Sequence, residues 1–289
     1  MKQCAVVSFV TPRQYELNGL WFGSEQAKTG FIFIHGLSGS AFVHHNVLSP
    51  LLDDTTMALY FNNRGHDKVG KVRKLLPDTQ KGYESEVVGE AHEVFIDCVD
   101  DIQGAVDFLK QHGVKNVYLV GHSTGCQKSI YYLSKKDKEV KGVVLICPIS
   151  DYAYAVANED PETLKKAVDK AKQLVTDNKP HELLPLDLSA DLLDAQRYLS
   201  LYTPDSEEEI FTYSQVNKVP VTLQKVSTPT LVVLSEQDEY GDRPANEIGE
   251  WFKKASKADI EVAVIQGAVH GLTGQETEVG VVIMDWVRR

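Results

Sequence analysis

Asn116–Ile130 reads NVYLVGHSTGCQKSI and holds the turn that decides the fold. A short apolar run ends at Gly121, Ser123 follows two residues later, Gly125 two beyond that, and a helical pattern begins at once. A strand that turns into a helix within so few residues forces its corner residue into strained backbone, with the side chain projecting. The flanking positions must be small, because the two backbones approach closely there. Ser123 on this corner is a candidate nucleophile.

Five further runs repeat the same scheme of apolar residues followed by a loop: GFIFIHGLSGS, TMALYFNNRGHD, GVVLICPISD, PTLVVLSEQDE and DIEVAVIQGAVHG. They are short and apolar without alternation, as strands are when both faces of a parallel sheet are covered. Two β-rich segments, Gln3 to Val10 and Tyr15 to Phe22, precede them. Helical spacing separates most of the runs. Val94, Cys98, Ile102, Ala105, Val106 and Leu109 mark one face, and Gly113 supplies a stop. Thr124 to Ser134, Arg243 to Ser256 and Thr277 to Val287 read as helices too. The predicted class is α/β with a mostly parallel sheet.

One interval breaks the rhythm. Residues 151–224 carry no strong strand signal but two helical patterns, DPETLKKAVDKAKQLVTDNKP and SADLLDAQRYLSLY. Asp160 before Pro161 suits an N-cap with proline at the first helical position. A connection this long is usually functional. Residues 151–224 are therefore expected to form a helical cap over a core made of 1–150 and 225–289. The acidic cluster DSEEE, Asp205 to Glu209, is expected to start a helix.

The 289 residues are 43% hydrophobic, enough for one sizeable core, and their formal net charge is −11. An acidic surface repels nucleic-acid phosphates and anionic membranes, so neither is an expected partner. The apolar run near the N-terminus is too short for a signal-peptide core, and no window reaches the roughly 20 apolar residues of a membrane span. Cytoplasm is the expected location. Cys4, Cys98, Cys126 and Cys147 are far apart in apolar contexts and read as reduced core residues. The adjacent His44 and His45 lack a complementary ligand spacing, so no metal site is expected.

In parallel α/β sheets ligands sit beyond the carboxyl ends of the strands, which draws attention to the loops holding His35-Gly36-Leu37, Ser123, Asp238 and His270. A serine hydroxyl needs a base within reach. Of nine histidines, His270 alone follows the last apolar run in a glycine-flanked loop with one helix left. His122 is expected to point away from its neighbour Ser123 and pack locally. His112 reads as a helix end, and His181 belongs to the insertion. His66 and His92 fall in or near loops and are possible pocket residues. A carboxylate must orient the histidine. Glu236, Asp238 and Glu239 all follow the preceding strand; Asp238 is the expected partner, with Glu236 as its substitute. The chain order is then Ser, Asp, His. Two backbone N–H groups, of Leu37 and Thr124, are the expected oxyanion donors. Tyr152, Tyr198, Tyr202 and Phe211 are candidates to line a substrate pocket; the alternative is that they form the insertion's own small core.

Taken together, HGLSG, NNRGHD, GHSTG, SEQDEY and GAVHG resemble the α/β-hydrolase superfamily, in family order and across nearly the whole chain. The resemblance implies an eight-stranded, mostly parallel sheet, a Ser123–Asp238–His270 triad and a cap after the sixth strand. It also implies a structural Arg64 in NNRGHD, where an Asp often replaces Asn63. GHSTGCQ is similar to a sub-branch that includes fungal hydrolases of siderophore esters. The expected activity is cleavage of small-molecule carboxylic esters through an acyl-enzyme, with no cofactor or metal. The same triad serves amidases, peptidases and thioesterases. A non-catalytic ligand-binding protein on the same scaffold is the reading from another class.

Overall fold

The computed structural model describes residues 4–289, with side chains for all but 46, 48 and 49. The chain opens with β1 (Cys4–Val10), β2 (Tyr15–Gly23), β3 (Thr29–Ile34), the short α1 (Leu48–Leu51) and β4 (Thr56–Phe61). Then come β5 (Gly70–Leu75), β6 (Tyr83–Val88), α2 (Cys98–Gln111), β7 (Asn116–His122), α3 (Thr124–Lys136) and β8 (Gly142–Ile146). After α4 (Asp151–Asn158), α5 (Pro161–Thr176) and α6 (Ala195–Tyr202) the chain returns to β9 (Thr230–Ser235), α7 (Ala245–Ala255), β10 (Ile260–Ile265) and α8 (Glu276–Val287). The predicted first strand begins at Gln3, which lies outside the described residues.

The six apolar runs become the parallel strands, in the order β10-β9-β8-β7-β3-β4. Their lack of alternation follows from burial on both faces. Ile32, Ile34, Val143 and Leu145 pack under α2, α3 and α7. Phe31, Phe33, Val144 and Ile146 pack on the other face, with Leu51 of α1 and Ile283 of α8. β2 closes the parallel part antiparallel to β4, and β1 runs antiparallel along β2 from Cys4 opposite Phe22 to Val10 opposite Glu16.

Among the described residues the sheet has ten strands, not eight. The additional pair is the β5–β6 hairpin, which joins the edge through Tyr15 opposite Lys74 and Glu16 opposite Arg73. Its sequences, GKVRKL and YESEVV, are too rich in charge to read as apolar runs. At an edge the hairpin buries one side only. Val72 and Val88 turn into the core, while Lys74 lies 3.5 Å from Glu84 and from Glu86.

Between β8 and β9 the chain makes three helices and, in place of a strand, a single bridge between Leu183 and Asp194. Asp160 caps α5 by accepting the Thr163 N–H at 2.8 Å, with Pro161 as the first helical residue. Ala167, Ala171 and Leu174 of α5 pack on Leu193, Tyr198 and Leu201 as a separate apolar cluster. The end of this interval behaves differently. Ile210, Phe211, Tyr213 and Leu223 join the main core, with Phe211 edge-on to Phe252 of α7 at 5.1 Å.

DSEEE forms a turn rather than a helix. Its acids are spent on partners instead of a helix dipole. Glu208 pairs with Arg197 and accepts the Ser200 hydroxyl at 2.6 Å; Glu209 accepts the Ser150 hydroxyl at 2.8 Å. Arg197 continues to Glu93 at 2.8 Å, and Glu93 to Lys128 at 2.6 Å. Arg197 and Lys128 are fully buried, so this chain of charges ties α6 to α3 inside the protein. Among the described residues no helix is long and apolar enough to cross a membrane.

Candidate active site

From β3 the chain goes to β4 on one side and later to β7 on the other. The carboxyl ends of β3 and β7 therefore flank a switch point, where a crevice opens above the sheet. Ser123 stands at the end of β7 with φ 55° and ψ −128°, a strained conformation for a side chain larger than glycine. The corner is held by backbone bonds: Ser123 N–H donates to Ile146 carbonyl at 3.0 Å, and Cys126 N–H to Ser123 carbonyl at 2.8 Å. The glycines on either side answer to contact distance. A Cβ on Gly121 would stand 2.4 Å from the Gly125 carbonyl oxygen, and one on Gly125 would stand 2.1 Å from that of Ile34. No side chain fits at either position.

The loop after β3 lies against this corner: a Cβ on Gly36 would come 2.7 Å from Ser123 Cβ. His35 braces the loop. Its Nδ1–H donates to the Gly36 carbonyl at 2.9 Å, and its Nε2 accepts the Asn63 N–H at 3.3 Å. Burial pushes the His35 imidazole down to about 3, so it stays neutral and keeps one tautomer. Asn63 Oδ1 accepts the Gly65 N–H at 2.9 Å, which shapes NNRGHD. Arg64 from that loop is buried among Asp97, Asp100 and Asp101, and its guanidinium covers the Tyr15 ring at 4.1 Å. Thr124 is the buried first residue of α3. Among the described residues no hydrogen bond engages the Leu37 N–H.

The three acids after β9 divide their work. Glu236 accepts the Gly267 N–H at 2.9 Å, and Glu239 accepts the His270 N–H at 2.9 Å. Asp238 receives His270 Nδ1 at 2.9 Å from both its oxygens. An Nδ1–H donated to a carboxylate leaves Nε2 as the free basic nitrogen. The Tyr240 ring stands edge-on to the imidazole at 4.7 Å. His122 lies on the other side, its ring 5.0 Å away, and its Nε2–H donates to the His270 carbonyl at 2.9 Å. Burial holds the His122 imidazole well below its usual range, with His44 and His270 adding to the effect.

Ser123 and His270 open into one cavity of about 670 Å³, with Gly36, Leu37 and His122 in its wall. Among the described residues the Ser123 hydroxyl and His270 are not hydrogen-bonded to each other; such bonds often close only around a substrate. Tyr154, Asn158, Asp191 and Tyr202 bring the interval between β8 and β9 to the same cavity. Lys68 spans its rim, 2.9 Å from Glu90 and 3.2 Å from Asp191. Asp151, also in the wall, takes a bond from Gln127 Nε2 at 3.0 Å, and burial raises its carboxyl to about 8.

The four aromatic pocket candidates separate. Tyr202 lines the Ser123 cavity, and with Tyr152 it also lines a second cavity of about 810 Å³ beside α5. Tyr198 is buried in the α5–α6 cluster and Phe211 in the main core. Nothing in their sequence context distinguishes these fates, because both environments favour aromatic rings. Tyr240, His122 and Asp151 also line the Ser123 cavity, and no sequence motif marks them as site residues. Tyr240 was legible in principle, sitting two residues past Asp238. The thiol of Cys147 lies 3.1 Å from Ser235 Oγ, and burial with nearby Asp238 pushes it up to about 12. Cys4, unlike the other three cysteines, is exposed.

The parallel sheet with its flanking helices and the sharp turn at Ser123 make this an α/β-hydrolase fold. The chain belongs to the family described as "Protein of unknown function (DUF1749)", whose model matches residues 96–287. Solved structures with the same fold span nearly the full length. The α/β hydrolase GrgF from Penicillium sp. sh18 is 16% identical, with a TM-score of 0.70 over 99% of this chain and 98% of its own. An esterase from Pyrococcus furiosus is 19% identical, with a TM-score of 0.62 over 100% of this chain and 91% of its own. The siderophore hydrolase EstB from Aspergillus fumigatus is 18% identical, with a TM-score of 0.64 over 94% and 93%. No protein with a curated description matches the chain.

Proposed function

We propose that this protein is a serine hydrolase of carboxylic esters, with Ser123 as nucleophile, His270 as general base and Asp238 as its orienting carboxylate. The observation that carries the reading is the Asp238–His270 pair, 2.9 Å apart, facing the same cavity as the strained Ser123 corner. Ser123 Oγ attacks the acyl carbon while its proton passes to His270 Nε2. The N–H groups of Leu37 and Thr124 receive the oxyanion of the tetrahedral intermediate. Collapse breaks the bond to the leaving alkoxide, which takes the proton from His270. Water then enters, gives a proton to His270, and its hydroxide attacks the acyl-enzyme; Ser123 Oγ leaves with that proton and the acid is released. The reaction so written draws on no cofactor or metal.

Residues 151–224 act as the cap over a core of 1–150 and 225–289 in this reading. Tyr154, Asn158 and Tyr202 reach the cavity from the cap and select the small-molecule substrate. The buried thiols of Cys98, Cys126 and Cys147 suit a reducing compartment, and the cytoplasm is the proposed location. The names of the structural neighbours, an esterase and a siderophore hydrolase among them, agree with hydrolysis without specifying the substrate. The test is turnover of p-nitrophenyl esters of increasing acyl length. Ser123→Ala is expected to lose about six orders of magnitude in kcat. Turnover retained within tenfold would refute the assignment.

A further inference from the structure

We propose that His92, His181 and Asp194 form a binding site for one divalent transition-metal ion of the zinc type. His92 ends the single helical turn Glu90–His92 after β6, His181 lies in the loop after α5, and Asp194 immediately precedes α6. Both imidazoles present Nδ1 to the same oxygen, Asp194 Oδ2, each at 2.9 Å. The three ligand atoms lie within 4.8 Å of one another.

Asp194 is held as a ligand needs to be. It is fully buried, its backbone N–H donates to the Ala91 carbonyl at 2.8 Å, and its other oxygen, Oδ1, accepts the Arg197 N–H at 2.8 Å and Gln196 Nε2 at 3.1 Å. Oδ2 is thereby fixed towards the two histidines, as outer contacts of metal ligands commonly do. An ion about 2.05 Å from each atom would subtend roughly 90° across a 2.9 Å nitrogen–oxygen gap. Opening that gap to about 3.3 Å gives the tetrahedral angle, a shift of a few tenths of an ångström. His92 and His181 also line a cavity of about 470 Å³, which leaves a fourth position for water. Two imidazoles and one carboxylate suit zinc, cobalt and nickel rather than calcium or magnesium. On binding, each neutral imidazole coordinates through Nδ1 and carries its one proton on Nε2.

The bound ion joins the turn that carries His92 to the interval between β8 and β9, beside the Glu93–Arg197 ion pair: His92 precedes Glu93, and Asp194 accepts the Arg197 N–H. The competing state is the metal-free trio, in which Asp194 simply accepts two imidazole donors. The ligands are separated by 88 and 12 residues other than themselves along the chain, so no local motif announces them.

The experiment uses the full chain, stripped with a chelator and titrated with Co²⁺, read by visible ligand-field absorption, then with Zn²⁺ by calorimetry. One ion per chain is expected, with Zn²⁺ displacing Co²⁺ and raising Tm. His181→Ala, at a largely exposed side chain, is expected to fold normally, to weaken binding at least tenfold and to abolish the Tm rise; His92→Ala is expected to do the same. Cys147→Ala is expected to bind unchanged, which separates this site from the Cys147, Asp238 and His270 cluster. A Kd weaker than about 1 mM for the wild type, or binding that survives both histidine substitutions, would overturn the proposal.

Discussion

His122 and His270 are joined across the site: the Nε2–H of the residue before the candidate nucleophile donates to the backbone carbonyl of the candidate base at 2.9 Å. The bond links the end of β7 to the loop after β10, 148 residues apart. It fixes the loop that aims His270 without using the His270 ring. His122→Phe keeps a ring between His44 and His270 but removes the donor. Loss of about 1–1.5 kcal/mol of positioning corresponds to roughly a tenfold fall in kcat. Steady-state kinetics are expected to show that fall with KM within about twofold. An unchanged kcat would remove His122 from the positioning of the base.

The buried ion chain predicts a large stability effect away from the reaction. Arg197 is fully buried between Glu93 and Glu208. Arg197→Met leaves two buried carboxylates without their shared cation, which costs about 3–5 kcal/mol in comparable cases. Urea unfolding followed by tryptophan fluorescence is the measurement. A change below about 1 kcal/mol would mean the pair is solvated in solution.

Glu209 predicts a pH dependence of stability. Burial raises its carboxyl to about 7, against bonds from Ser150 and Gln215 that pull the other way. Its folded pKa lies above the unfolded one, so the native state holds the proton longer. The stability this confers is complete below the unfolded pKa of about 4.3 and is lost as pH rises through about 7. Asp151, raised to about 8, acts in the same direction. Glu209→Gln cannot ionise, so its stability relative to wild type is expected to improve by an order of 2 kcal/mol from about pH 5 to about pH 8.5. Thermal melts across that range test the sign, and parallel curves would contradict it.

Tyr202 and Phe211 are expected to part company on mutation. Tyr202 faces the Ser123 cavity, so Tyr202→Ala is expected to change the ranking of acyl lengths while the fold survives. Phe211 packs fully buried on Phe252, so Phe211→Ala is expected to cost about 3–5 kcal/mol and leave the ranking alone. Ester panels and denaturation curves for both variants decide this. The reverse pattern would relocate the pocket.

The parallel sheet was legible because strands covered on both faces must be apolar without interruption, as in TMALYF and TLVVLS. The β5–β6 hairpin was not, because an edge pair can carry Lys71, Arg73 and Glu84 to water and loses the apolar signal. The Ser123 corner could be read from its glycines, since backbone contact at about 2 Å excludes every other residue. The fate of DSEEE was hidden in Arg197, whose demand for Glu208 is tertiary and outweighs a local helix preference. Likewise the partners of His92 and His181 depend on how the interval between β8 and β9 folds back. No local spacing records that.

The most direct test of the central claim is covalent. The wild-type chain is incubated with a fluorophosphonate and the adduct is located by peptide mass spectrometry. The account predicts a single modified residue, Ser123, and labelling that slows by several orders of magnitude in His270→Ala. A wild-type adduct on another residue, or undiminished labelling of Ser123 without the His270 imidazole, would contradict it.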